Sequence, residues 1–205
     1  MSEQVFHDII YKVRGSFWKD HKCGSGSLLE NTANVREHLP LIVDKFQIRS
    51  ILDAPCGDYS WMQHTVFPGN MQYIGGDIVG KMIDENKSQY PNVNFIKLDV
   101  TADELPAVDL LFCRDLLIHL PLDSIKKLLL NFLRSNIKYI LISSYDNDSN
   151  SDIGIGQHHP INLQKQPFLF PDPLYTINDS CIDATRNMML WHRDNLTACI
   201  NNWSV

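Results

Sequence analysis

The stretch Ile51-Leu52-Asp53-Ala54-Pro55-Cys56-Gly57-Asp58-Tyr59-Ser60-Trp61 is a short apolar run, then an acid, then a turn that contains a glycine. Two later runs close the same way: Tyr73-Ile74-Gly75-Gly76-Asp77 and Asn94-Phe95-Ile96-Lys97-Leu98-Asp99. Apolar runs of this length, separated by turn residues and helical patterns, read as parallel strands. Successive strands ending in acids set Asp53, Asp77 and Asp99 along one edge of a sheet. That edge is where open α/β folds bind their ligands.

Working outward, residues 1–20 predict a helix with Val5, Ile9, Ile10 and Val13 on one face. Residues 22–27 are a polar break. Thr32 or Asn34 is placed to cap a helix over 35–46, which Pro40 should end or kink. The pattern then becomes strand 50–54, a helix from about Ser60 to before Pro68, strand 72–76, helix 81–89, strand 94–98 and strand 109–113. A helix over 123–136 follows, with Ile125, Leu128, Leu129, Phe132 and Leu133 at helical spacing, then strand 139–143. This alternation predicts an α/β fold. The expected form is a doubly wound, mostly parallel sheet. It carries an N-terminal helical lid and a long irregular insertion after strand five. The insertion, 145–179, is rich in Asp, Asn, Ser and Pro, and its Phe168 and Phe170 suit a cover over the sheet edge. Residues 186–191 read as a last strand. One domain is expected, with a lid region 1–47, a binding core 48–144 and an acceptor cover 145–205.

The chain has 205 residues, 44% of them hydrophobic and 20% charged, with a formal net charge of −6. No Lys/Arg-rich block is present, which disfavours a nucleic-acid backbone as the main partner. The five cysteines include no C-x-x-C pair, which suits free thiols in a reducing compartment. The charged first residues resemble neither a signal peptide nor a membrane span. A cytoplasmic protein is the expectation, and the oligomeric state is open.

The frame Asp53-Ala54-Pro55-Cys56-Gly57-Asp58-Tyr59, with Asp77 and Asp99 at the next strand ends, resembles the class I S-adenosylmethionine-dependent methyltransferases over roughly residues 35–119. That family's acid-x-Gly-x-Gly-x-Gly turn keeps only Gly57 here; Pro55 and Tyr59 replace the other glycines. The resemblance implies a doubly wound, mostly parallel seven-stranded Rossmann-like sheet, and S-adenosylmethionine as cofactor. Asp53, Ala54 and Gly57 would lie beneath its methionine part, Asp77 and Ile78 at its ribose, and Asp99 and Val100 at its adenine. Arg114 and Asp115 would stand near the transferable methyl. A narrower resemblance rests on Gly24-Ser25-Gly26-Ser27 with Thr32 and Arg36, Arg114-Asp115-Leu116-Leu117-Ile118-His119-Leu120, Asn150-Ser151-Asp152-Ile153, Asn162-Leu163, Pro167-Phe168 and Pro171-Asp172-Pro173-Leu174. These are similar to small bacterial methyltransferases that accompany surface-polysaccharide genes. They imply a small-molecule acceptor such as a sugar or sugar-nucleotide.

The residue types fit that chemistry. A carboxylate has two acceptor oxygens, which suits Asp77 to a vicinal diol. Trp61 is placed as a wall of the methionine pocket, Ser25 as part of a lid, and Arg36 as the cation for the cofactor's carboxylate. Methyl transfer to a hydroxyl needs alignment and removal of a proton, which makes Asp115, His119 and His159 the catalytic candidates. If a helix follows Arg114, Asp115 and His119 share a face. Of the adjacent His158 and His159, alternation lets only one face a site. Neither meets a metal-ligand spacing with Asp152. Two other functions stay open. A nicotinamide-dependent oxidoreductase would also use Asp77, but G-x-G-x-x-G is absent. A non-catalytic scaffold is consistent with the two lost glycines.

Overall fold

The computed structural model describes residues 2–14, 23–180 and 185–200. Residues 15–20 of the expected first helix, the side chain of Val13, Cys181 and Trp203 lie outside that description. The elements in chain order are α1 (Glu3–Asp8, continued by a π-helical turn Ile9–Arg14), α2 (Ala33–Lys45), β1 (Ser50–Asp53), β2 (Gln72–Asp77), α3 (Gly80–Gln89), β3 (Asn94–Lys97), β4 (Leu110–Cys113), α4 (Leu122–Arg134), β5 (Tyr139–Tyr145), β6 (Tyr175–Asn178), β7 (Arg186–His192) and α5 (Arg193–Ile200).

The seven strands form one sheet in the order β3-β2-β1-β4-β5-β7-β6. β7 pairs antiparallel with both β5 and β6, and the other pairings are parallel. Alternation along the strands sends side chains to two cores. Leu52, Leu111, Cys113, Ile140, Ile142 and Trp191 meet the buried stripe of α4, Ile125, Leu128, Leu129 and Phe132. Ile51, Leu110, Phe112, Leu141 and Leu190 meet Val35, Leu39, Ile42 and Val43 of α2 on the opposite face. The strand order reverses between β1 and β4, which opens a crevice at their carboxyl ends.

Several local expectations are corrected. α2 continues through Pro40 because Leu39, Ile42 and Val43 are fully buried on either side of it. A proline there removes one N–H from a half-exposed position, and packing outweighs that loss. The helix expected near Ser60 is only a 3-10 turn, Met62–His64. Gly57 and Tyr59 both take left-handed backbone, φ 54° and 59°, and Asp58 Oδ1 accepts the Ser60 N–H at 3.1 Å and its hydroxyl at 2.6 Å. The insertion contains β6, which finds its partner only through long-range pairing with β7. It is otherwise pinned by side chains. Asn150 accepts the Asn162 N–H at 2.8 Å and donates to the Asn162 and Gln166 carbonyls at 2.8 and 2.7 Å. Asp152 Oδ1 accepts the Leu122 N–H at 2.8 Å and so caps α4 from a distance.

Gly75 marks the tightest point of the sheet. It pairs with Phe95, and a Cβ at Gly75 would lie 2.6 Å from Phe95 Cδ1. An aromatic ring cannot flex away as a long chain can. Gly75→Ala is therefore expected to destabilise the protein by about 1–3 kcal/mol, read as a lower denaturant midpoint.

Candidate functional site

A cavity of about 720 Å³ opens at the carboxyl ends of β1, β2 and β4. Ligand pockets typically measure about 300–1,000 Å³. Its floor is the turn after β1, and its roof includes Phe6, Ile9, Ile10 and the segment 23–28. Ser25 and the first helix, both assigned to a lid region over residues 1–47, line the cavity.

The floor is stitched to both neighbouring strands. The Ala54 N–H donates to the Phe112 carbonyl and the Cys56 N–H to the Gly76 carbonyl, each at 2.9 Å. Gly57 donates its N–H to Asp77 Oδ2 at 3.2 Å, and Val79 donates to Asp77 Oδ1 at 2.9 Å. Asp77 thus shapes the turn. It lines the cavity although only 4% exposed. Burial pushes its carboxyl up to about 6, against those backbone hydrogen bonds. Asp53, at the end of β1, accepts the Tyr73 hydroxyl at 2.6 Å; burial raises it to about 7, against that bond and with the charge of Asp77 adding to the rise. Asn86, missed from the sequence, braces the turn by donating to the Gly57 carbonyl at 2.7 Å.

Ile78, Leu98 and Val100 give the cavity an apolar wall beyond Asp77. Asp99 is outside the lining, and its Oδ1 accepts the Thr101 N–H and hydroxyl at 2.9 and 2.6 Å. Trp61 does line the cavity, with the Arg114 guanidinium 5.5 Å from its ring centroid. Arg36 is turned away, donating to the Leu29 carbonyl at 2.8 Å and to Thr32 Oγ1 at 3.4 Å, so it braces the lid instead.

Opposite the Asp77 side lies a closed group of four charges. Arg114 Nε and Nη2 donate to Asp179 Oδ2 and Oδ1 at 2.8 and 3.0 Å. Arg186 Nε reaches Asp179 Oδ2 at 2.8 Å, and its Nη1 donates to Asp115 Oδ1. Burial pushes the Asp179 carboxyl up, against the pull of the Arg114 and Arg186 guanidiniums beside it. Burial also works against the Arg186 charge, and Asp115 and Asp179 outweigh it, so the guanidinium is held protonated. Arg186 Nη2 is buried and makes no hydrogen bond of normal geometry. Such a donor costs about 1–3 kcal/mol.

No helix follows Arg114. Asp115 takes φ 58°, its N–H donates to Ser143 Oγ at 3.0 Å, and a 3-10 turn Leu117–His119 comes next. Asp115 and His119 nevertheless both line the cavity. His119 Nδ1 lies 3.0 Å from the Gln157 carbonyl, which can only accept, so Nδ1 carries a hydrogen. Alternation at His158-His159 operates as expected, but in the opposite sense. His158 faces the cavity, 5.9 Å from the His119 ring centroid. His159 is buried outside the lining, its nitrogens 2.5 and 3.1 Å from the Ser151 and Leu120 carbonyls, and it clips the insertion to the turn. Tyr145 also lines the cavity. Among the described residues, no group of three or more His, Cys, Asp or Glu is placed to hold a metal ion, and no helix is long and apolar enough to cross a membrane.

No protein-family model matches the chain, and no curated protein matches it in sequence. Solved structures do match in fold. Magnesium protoporphyrin IX methyltransferase from Synechocystis PCC 6803 with bound SAH superposes with a TM-score of 0.65 at 13% identity, over 94% of this chain and 100% of that one. Human N-acetylserotonin methyltransferase with SAM gives 0.63 at 14% identity, over 93% of this chain and 59% of that one. PigF with SAH gives 0.61 at 14% identity, over 91% of this chain and 62% of that one. The seven-stranded architecture is that of the Rossmann-like methyltransferases.

Proposed function

We propose that the chain is an S-adenosylmethionine-dependent methyltransferase acting on an oxygen of a small polar acceptor, such as a sugar or sugar-nucleotide. The observation that carries this reading is Asp77. It is a buried carboxylate at the end of β2, beside the sheet's switch point, set in a cavity with an apolar wall next to it. These residues fit the cofactor. Asp77 suits a ribose diol, Ile78, Leu98 and Val100 suit an adenine, and Asp53, Ala54, Gly57 and Trp61 suit the methionine part. Bound S-adenosylmethionine supplies a methyl group already activated by its sulfonium. The protein then has to orient the acceptor and take its proton. His119 is placed to accept that proton at Nε2, with Nδ1 held by the Gln157 carbonyl. Asp115 is placed to align the acceptor. The cysteine spacing supports a cytoplasmic location as part of the same proposal.

Calorimetric titration with S-adenosylhomocysteine, with NAD as the comparator, tests this. Saturable binding of the first alone is expected; binding of NAD alone contradicts it. The titration should also depend on pH. A ribose diol donates to Asp77, so the carboxylate form is required. Affinity is expected to rise with pH, by up to about tenfold per unit below 6, and to level off above 7. Stability runs the other way. Both acids sit above the ordinary carboxylate value, so their contribution is present at low pH and lost as pH rises through about 6 to 7.

A further inference from the structure

On the methyltransferase reading, the end of the cavity beside Asp115 receives the methyl acceptor, and two features there ask for a ligand. Arg186 is 5% exposed: Nε and Nη1 are engaged by Asp179 and Asp115, the Tyr145 hydroxyl interacts with the guanidinium, and Nη2 makes no hydrogen bond of normal geometry. Asp115 Oδ2 has Arg114 Nη1 at 3.6 Å, beyond hydrogen-bond range, and so keeps acceptor capacity. Both side chains line the cavity and touch each other. A buried donor without a well-formed hydrogen bond, beside an underused acceptor, is completed by a group that can both accept and donate. A hydroxyl does both, whereas a carboxylate or a phosphate dianion only accepts.

Charge points the same way. Arg114 and Arg186 are balanced by Asp115 and Asp179, so this end offers an anion no surplus positive charge. Across the whole lining, five carboxylic acids face two guanidiniums. Gly26 lies against the same pair: a Cβ there would be 2.8 Å from Asp115 Oδ2 and 3.7 Å from Arg186 Nη1.

We infer that Asp115 and Arg186 together bind an uncharged hydroxyl group of the methyl acceptor, and that this end of the cavity rejects acceptors bearing a carboxylate or phosphate there. A pyranoside and a phenol both offer such a group.

Ligand-observed NMR on the full chain loaded with S-adenosylhomocysteine tests this with four probes: a methyl pyranoside, a simple phenol, a uronic acid and a sugar phosphate. One neutral probe is expected to bind at least about tenfold more tightly than either anion, and its identity separates sugar from phenol. Asp115→Asn removes one negative charge without changing shape, and it should narrow that preference about tenfold in favour of the anions. Arg186→Lys keeps the charge but loses Nη2; it should weaken the neutral probe without helping the anions. Equal or tighter binding of the anions by the unmodified protein overturns the inference. So does binding of neither neutral probe, or an Asp115→Asn variant that weakens all probes in proportion, as a merely structural role would. Failure to load S-adenosylhomocysteine is a distinct result, seen before any probe is added; it removes the methyltransferase reading and this inference with it.

Discussion

Asp77→Asn is expected to weaken S-adenosylhomocysteine binding by about a hundredfold or more, from the loss of charged acceptors for two hydroxyls. The effect should be this large because Asp77 has two tasks. It faces the cavity, and it accepts the Gly57 and Val79 N–H groups that hold the floor and the start of α3 in place. An asparagine turns one of those acceptors into a donor, so one backbone N–H loses its partner. Asp84→Asn, on the exposed side of α3, is the control and should bind as the parent does. Equal binding by Asp77→Asn, measured by calorimetry, would place the ribose elsewhere.

The second large effect is expected at Gly57. Its φ of 54° is left-handed, and a Cβ there would meet Cys23 Sγ at 2.6 Å. Cys23 belongs to the lid and accepts the Asp58 N–H at 3.3 Å, so the lid and the floor touch at this point. Gly57→Ala should lower stability by about 1–3 kcal/mol, part from the backbone and part from displaced Cys23, and should weaken cofactor binding with it. Cys23→Ala shortens the obstructing side chain. The double variant is therefore expected to recover the contact part of the loss but not the backbone part, a coupling that a double-mutant cycle of denaturant midpoints measures. Strict additivity would mean that the lid does not rest on Gly57.

Much of the Asp53–Asp77 side of the cavity was legible because it is local. Asp53 and Asp77 each follow directly from a strand, and the turn between Asp53 and Trp61 carries its own glycine. The pattern of α4 likewise declares its buried face. The Asp115–Arg186 side was less legible because it is assembled over long range. Arg186 and Asp179 come from the end of the β6–β7 hairpin where β6 stops and β7 starts, and they meet Arg114 and Asp115 from the end of β4, separations of 65 and 71 residues. The only signal for them was an acid and a base flanking the last strand. Two expectations failed through local geometry. The left-handed backbone at Asp115 rules out a helix there, and the parity of an extended chain at His158-His159 resolved toward His158 once His159 found two carbonyls. Arg36 lies outside the cavity lining, its guanidinium held by Leu29 and Thr32 of its own segment.

A crystal structure of the protein grown with S-adenosylhomocysteine tests the central claim most directly. The ribose hydroxyls are expected within hydrogen-bond distance of both Asp77 oxygens, with the adenine against Ile78, Leu98 and Val100. A ligand bound away from Asp77, or a cavity that stays empty at saturating concentration, contradicts it.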